Sequence, residues 1–395
     1  MKMLNPLANK EIAIIGYGEV KNVRRSGRST YDVAAEATSR VLEYTGLSTK
    51  DIDGMSTVLP SSEAGNNFWS NYLGDHLGLQ TSWTQTTDIG GASMPGNVAR
   101  AAAAIQSGYC ETVLSIAAAV PTTRRVDDQR SYRSEFRNPT GIQGPPGAFG
   151  LIMHRYMHEY DLKFEALGKL AVAQRNGALA NDFAVEGLRK PITVDDYLNA
   201  RMVSTPLRLL DSVMPCDGGN AIIITSTEKA KKLGFKNIAH PIAYAELTNF
   251  NIHDQLPDIT ETGFGVAGPQ ALEKAGMSTD DIDMFHPYDD FLIAEMLQLE
   301  QIGFCSRGEG SDFLLTTDIS PSGTLPINTG GGQISAGQPG LAGGQLNLIE
   351  ALRQLFGEAT DRQVPNASTA MCTGIGVIPY VRNWGTSAVL ILERG

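Results

Sequence analysis

The sequence predicts an α/β fold made of two copies of one lobe, with a long inserted segment in the first copy. Three observations carry this. A stretch recurs: Leu42-Glu43-Tyr44-Thr45-Gly46-Leu47-Ser48-Thr49-Lys50-Asp51-Ile52-Asp53 aligns with Leu272-Glu273-Lys274-Ala275-Gly276-Met277-Ser278-Thr279-Asp280-Asp281-Ile282-Asp283, 230 residues further on. Chance matches a helix end and a Ser-Thr cap, but matching Leu-Glu, Gly, Ser-Thr and Asp-Ile-Asp in one register points to duplication. Each copy also has a glycine-rich loop entering a helix: 90–96 before 97–106, and 328–344 before 345–356. Apolar, β-branched runs at 112–119 and 387–392 fit central strands. Strands alternating with helices imply a mainly parallel sheet in each lobe.

In chain order, residues 11–16 form an apolar run that stops at Gly16, a buried first strand. Gly16-Tyr17-Gly18 lacks the third glycine and the immediate helix of a dinucleotide fingerprint, and Arg24, Arg25 and Arg28 follow instead. Residues 31–44 have helical spacing and end at Gly46. The helix at 97–106 is nearly all small residues from Ala99 to Ala104, so it can pack tightly between layers. An excursion of about 121–210 follows. Its opening, 124–147, is polar and rich in Gly and Pro, so it is no single regular element and is either a disordered loop or a functional cover. Helices are expected at 149–160 and 164–180, and another after Thr193, its cap. The charged link 229–237 divides the chain into an N-terminal half, 1–232, with a loop domain at about 121–210, and a C-terminal half, 233–395.

Composition narrows the function. The chain has 395 residues, enough for two packed lobes, and 42% hydrophobic residues fit a globular enzyme. A net charge of −11 argues against nonspecific nucleic-acid binding. No apolar run is long enough to span a bilayer, and Met1 to Pro6 lack a signal-peptide core. Cys110, Cys216, Cys305 and Cys372 are scattered with no CxxC, which reads as reduced thiols in a cytoplasm and no metal site. The loop at 328–344 suits an oxyanion or a phosphate, because glycines let backbone N–H groups approach a ligand.

The order within that loop adds a resemblance. Asn328-x-x-Gly331-Gly332-x-x-Ser335-x-Gly337-Gln338-Pro339 resembles the N-x-x-G-G-x-x-x-x-G-H-P loop of thiolases. Further stretches in the same order, 153–182, 202–211, Cys216 to Ala221 and 295–305, are similar to the sterol-carrier-protein type of thiolase and its lyase relatives. The resemblance implies a thiolase fold: duplicated βαβαβαββ halves in a five-layered αβαβα core with a loop domain. It also implies an acyl-CoA substrate with no permanently bound cofactor, CoA entering only as part of the substrate. It implies a homodimer, and a small partner with an OB fold and a zinc ribbon that completes a heterotetramer.

The chain departs from thiolases where they do their chemistry. Their nucleophilic cysteine sits at a helix start, where the dipole lowers the thiol pKa. That position is Gly91 here, in Gly91-Ala92-Ser93-Met94. The G-H-P histidine is Gln338, which can donate a hydrogen bond but is no base. The H-D-C-F motif aligns with Tyr288-Asp289-Asp290-Phe291. A Y-D-x-F version resembles the thiolase-like retro-aldolases of steroid side-chain breakdown, in which that tyrosine is a proposed base and a second tyrosine stands at the Gln338 position. Cys372-Thr373-Gly374 fits the C-x-G of classical thiolases.

The reading implied is retro-aldol cleavage of a β-hydroxyacyl-CoA without an acyl-cysteine. Tyr288 is expected as base, its pKa lowered by nearby donors. Asp290 or Cys372 is the proton partner, and Gln338, Asn328 and backbone N–H groups hold the thioester oxygen. Gly91, Ser93, Gly331, Gly332 and Ser335 are expected to contact the CoA thioester. The alternatives are a thiolase or acyltransferase of the acetyl-CoA acetyltransferase kind, using Cys372 or a partner, and a non-catalytic scaffold subunit.

Overall fold

The structure, a computed structural model, describes residues 5–125, 134–142, 144–251, 258–376 and 384–395. The first half runs β1 (Ile12–Val23), α1 (Thr30–Thr45), β2 (Gly54–Val58), α2 (Trp69–His76), β3 (Trp83–Thr87), α3 (Ser93–Gln106) and β4 (Thr112–Ala119). The excursion holds α4 (Ser134–Arg137), α5 (Gly144–Glu159), α6 (Phe164–Leu179), α7 (Val194–Leu198) and a small hairpin, β5 (Met202–Ser204) with β6 (Leu207–Arg208). The chain re-enters the core as β7 (Asp217–Ser226) and crosses to the second half through α8 (Thr227–Lys232). The second half runs β8 (Ala239–Thr248), α9 (Phe264–Ala275), β9 (Met284–His286), α10 (Leu292–Ile302), α11 (Gly310–Thr316), α12 (Gly332–Ala336), α13 (Leu346–Leu355), β10 (Thr369–Ile375) and β11 (Thr386–Arg394).

Each half is a βαβαβαββ unit. In the second half, the third strand is reduced to a parallel bridge between Ile327 and Phe285. The strands lie in the order β3-β2-β4-β7-β1 and then β8-β11-β10-β9, the two runs meeting at one register pair, Ile14 with Ala239. Helices α3 and α13 each pack on strands of both runs and form the middle layer. Outside them α1 covers β1, β4 and β7, while α9 covers β8 and β11. This is the five-layered arrangement.

The duplication is visible atom by atom. Helices α1 and α9 both stop at a left-handed glycine, Gly46 at φ 69° and Gly276 at φ 70°. Ser48 and Ser278 donate their backbone N–H to Asp51 and Asp281, at 2.8 and 2.7 Å, closing the same capping box. Asp53 then accepts from the N–H of Thr112 at 2.8 Å, and Asp283 from the N–H of Thr369 at 2.9 Å. The repeated aspartate anchors the start of β4 in one half and of β10 in the other.

Two expectations are corrected. The sheets are mixed, not mainly parallel: β2 is parallel to β3 and β4, and β9 to β10, but β7 runs antiparallel to both β4 and β1. The excursion leaves and returns at the same end of the sheet, so the returning strand must reverse. The first strand also continues past Gly16. Its Gly16-Tyr17-Gly18 serves packing, because a Cβ on Gly18 would lie 2.4 Å from the carbonyl oxygen of Ala37 in α1.

Candidate active site

The exits of the parallel strands converge. After β2 come Leu59, Pro60 and Ser61; after β3, Gly90 and Gly91; after β9, Tyr288 and Asp290; at the end of β10, Ile375 and Gly376. Ligands in α/β sheets gather at such carboxyl ends. These residues line a cavity of about 440 Å³, closed by Gln338, Gly340 and Leu341 and, from the excursion, by Ile142, Gly144, Pro145, Ala148 and Phe149. The wall is mostly apolar, with a few convergent polar groups, as small-molecule sites are. Of the described residues in the expected cover at 124–147, Ile142, Gly144 and Pro145 line the cavity; residues 126–133 and 143 lie outside the described residues.

Tyr288 is locked in place. Its backbone N–H donates to Thr373 Oγ1 at 2.8 Å, and its carbonyl accepts from Gln298 Nε2 at 2.9 Å. Its ring lies against Gly91, where an added Cβ would sit 2.2 Å from Cε2 and 2.5 Å from the phenol oxygen. The phenol engages both Asp290 and Gln338, and the Gln338 side-chain amide donates to Asp290. One segment pins this pair: Gln338 N–H donates to the Met214 carbonyl at 2.9 Å, and Val213 N–H to the Asp290 carbonyl at 3.3 Å.

The electrostatics correct one expectation. Burial, then the negative charge of Asp290, pushes the Tyr288 phenol well above its ordinary pKa, and the hydrogen bond from Gln338 offsets only part of this. The resting phenol is therefore neutral and a donor. Asp290, whose carboxyl faces the cavity, is pushed up to about 7 by burial and by the charge of Asp289, against the hydrogen bonds from Tyr288 and Gln338. Asp289 behind it is also raised to about 7, mainly by burial, but of the two only Asp290 lines the cavity.

Of the other sequence-predicted residues, none lines the cavity. Asp289 turns away and accepts from the N–H groups of Gln333 and Ile334 at 2.9 and 3.0 Å, at the start of α12. Gly332 makes room for it, since a Cβ there would lie 2.1 Å from Asp289 Oδ2. A Cβ on Gly331 would strike Ala178 of α6 at 2.7 Å. Asn328 donates to the Pro287 carbonyl and to Glu295, both at 3.1 Å. Ser335 bonds Arg175 at 3.3 Å, and Ser93 accepts from the Ile89 N–H at 3.1 Å. Cys372 is buried in the apolar layer with Val98, Leu348 and Leu352, and burial raises its thiol pKa. These residues brace the loops that carry Tyr288, Asp290 and Gln338.

Sequence reasoning missed the apolar lining from α5 and the buried ion network behind the site. Glu350 pairs with Arg353 at 2.6 Å and Arg362 at 3.0 Å, and Arg353 also pairs with Glu19. Acidic and basic residues spread over 19–362 give no local motif, so only their burial reveals the network.

Comparison with known proteins agrees with this geometry. The family described as "Thiolase C-terminal domain-like" matches residues 245–394. The chain is 30% identical over 387 residues to the 17-hydroxy-3-oxo-4-pregnene-20-carboxyl-CoA lyase of Mycobacterium tuberculosis, covering 93% of this chain and 97% of that one. It is 29% identical to the steroid side-chain-cleaving aldolase of Thermomonospora curvata, covering 92% and 95%. Among solved structures, the "Ltp2-ChsH2(DUF35) aldolase" superposes with a TM-score of 0.86 at 28% identity, over 98% of this chain and 99% of that one.

Proposed function

We infer the activity from one premise: the chain belongs to the thiolase superfamily. Its reaction is retro-aldol carbon–carbon cleavage of a β-hydroxyacyl-CoA, with no covalent cysteine intermediate. One observation carries this reading. The Tyr288 ring fills the space that a side chain at position 91, the thiolase nucleophile position, would need. Among the described residues, those lining the cavity include no cysteine. The acyltransfer alternative through Cys372 would need a thiol that is buried in the core and held protonated.

The chemistry balances without a cofactor. Ionised Asp290 takes the phenol proton of Tyr288 as the phenol oxygen takes the proton of the substrate β-hydroxyl. The oxygen electrons form the carbonyl of the departing aldehyde or ketone, and the Cα–Cβ pair moves onto the thioester as an enolate. In this reading the Gln338 amide, which rests on Asp290, turns to that oxygen, and the backbone N–H groups of the Gly90–Gly91 turn join it. The proton then returns from the Tyr288–Asp290 pair to Cα. The cavity walls at Leu59, Phe149, Leu341 and Ile375 suit a bulky apolar acyl group, which the steroid substrates in the relatives' names also are.

The same reading includes a homodimer and a small partner with an OB fold and a zinc ribbon, in the cytoplasm. The DUF35 component in the name of the superposed aldolase supports a partner. Among the described residues no helix is long and apolar enough to cross a membrane. The test is co-expression with the small partner and assay of a panel of β-hydroxyacyl-CoA esters. Release of an aldehyde or ketone, with no acylated cysteine by mass spectrometry, supports the lyase. Acyl-cysteine formation would replace it with the acyltransferase. Undiminished turnover by a Tyr288→Phe complex would make the chain a scaffold.

A further inference from the structure

Among the described residues, the cavity lining contains no lysine or arginine, yet a CoA thioester brings several phosphate charges to its mouth. The chain as a whole is acidic, at −11. Against that background five arginines gather in two turns at one end of the sheet: Arg24, Arg25 and Arg28 after β1, and Arg124 and Arg125 after β4. This is the end at which β2 and β3, which run parallel to β4, open into the cavity.

The two turns are tied to each other and to the cavity wall. Asp217 accepts from the N–H groups of Ser26 and Thr122, at 2.9 and 2.8 Å, and from the hydroxyls of Ser26, Thr122 and Thr123. Arg25 N–H donates to Thr122 Oγ1 at 2.9 Å. Pro121 comes within 3.8 Å, and Ser61 within 3.7 Å, of a Cβ built on the cavity residue Gly340. On the other side Asn22 donates to the Ala336 carbonyl at 3.1 Å, on the loop that carries Gln338.

Four acids near the rim, among the described residues, are engaged by protein groups. Asp217 faces the turn hydrogen bonds, Glu63 pairs with Arg124 at 3.1 Å, and Glu36 pairs with Arg28 at 2.6 Å. Asp32 accepts from Ser29 in the α1 capping box. Arg24 and Arg25 are exposed and, among the described residues, their guanidinium groups make no ion pair. Guanidinium groups match phosphate oxygens in a fork geometry.

We propose that the rim carrying Arg24 and Arg25 receives the phosphates of the CoA part of the thioester, while the acyl group occupies the cavity. This rests on the thioester reading above, but its test does not need turnover. The measurement is calorimetric binding of CoA and of pantetheine, which lacks the nucleotide phosphates, to the full chain and to an R24A/R25A variant. Both positions are exposed, so the variant is expected to fold, and its unfolding temperature checks this. CoA affinity should fall about five-fold at low salt in the variant, with pantetheine affinity unchanged. The loss should shrink as salt rises. Unchanged CoA affinity, or equal losses for CoA and pantetheine, would overturn the proposal. The lyase reading is judged separately, by carbonyl release from β-hydroxyacyl-CoA esters, so either idea can fail alone.

Discussion

The Tyr288 ring and a side chain at position 91 exclude each other: a Cβ on Gly91 would lie 2.2 Å from Tyr288 Cε2. The tyrosine backbone is fixed from behind, by Thr373 at its N–H and by Gln298 at its carbonyl. Gly91→Ala should therefore cost about 1–3 kcal/mol of stability, the usual cost of overpacking, and should abolish carbonyl release. Combining it with Tyr288→Ala should recover the stability but not the activity. Urea unfolding of the three variants checks the first part and product assay the second. A fully active Gly91→Ala protein would mean that the ring moves during turnover.

Asp290 sets the pH response. Its carboxyl, raised to about 7 by burial and the Asp289 charge, must be ionised to take a proton. The ionised fraction grows with pH, so turnover should rise through about pH 7 and level off above it. Asp290→Asn should remove that limb and lower turnover by roughly 10²-fold or more. Stability should run the opposite way. A carboxyl whose folded pKa is raised gives its full stabilising effect below its unfolded pKa, and loses it as pH rises towards 7. The pH dependence of turnover in wild type and variant, measured over the same buffers, decides the point.

Gln338 holds the Asp290 carboxylate and reaches the phenol. Gln338→Leu keeps the volume and removes the donor. Turnover should fall about 10²-fold, the typical effect of losing one oxyanion donor, while the KM moves little. Removing a donor that lowers the pKa of Asp290 should also shift the acidic limb of the pH profile upwards. A KM effect without a change in turnover would assign Gln338 to ground-state binding instead.

How much of this was legible in the sequence follows from what each residue does. The duplication was legible because Asp53 and Asp283 make the same local anchor in each half, within a dozen residues of their helix. Tyr288, Asp290, Gln338 and Gly91 were legible through the motifs that resemble thiolase loops, and all four line the cavity. Asn328, Ser335, Gly331 and Gly332 have the same composition whether they face a ligand or a neighbouring element. Only the positions of Asp289, Arg175 and Ala178 show that they brace the loop. The direction of the Tyr288 shift was misread because burial outweighs a single amide donor, and burial is not written in a motif.

Glu350 tests whether the polar interior behind the site is a structural support. Burial alone would raise its carboxyl. The charges of Arg353 and Arg362 outweigh that and pull it down to about 2. Its folded pKa lies below its unfolded one, so it contributes stability above about pH 4 that is lost as pH falls towards 2. Glu350→Gln leaves Arg353 and Arg362 without that charge in a buried setting, and breaking such a pair costs about 3–5 kcal/mol. The variant should unfold at markedly lower denaturant at pH 7, with the gap to wild type narrowing in acid. Thr329 donates to Glu350 at 2.9 Å, next to the Asn328 turn, so residual activity should fall in step with the folded fraction. Activity lost in a variant of unchanged stability would instead place Glu350 in the chemistry.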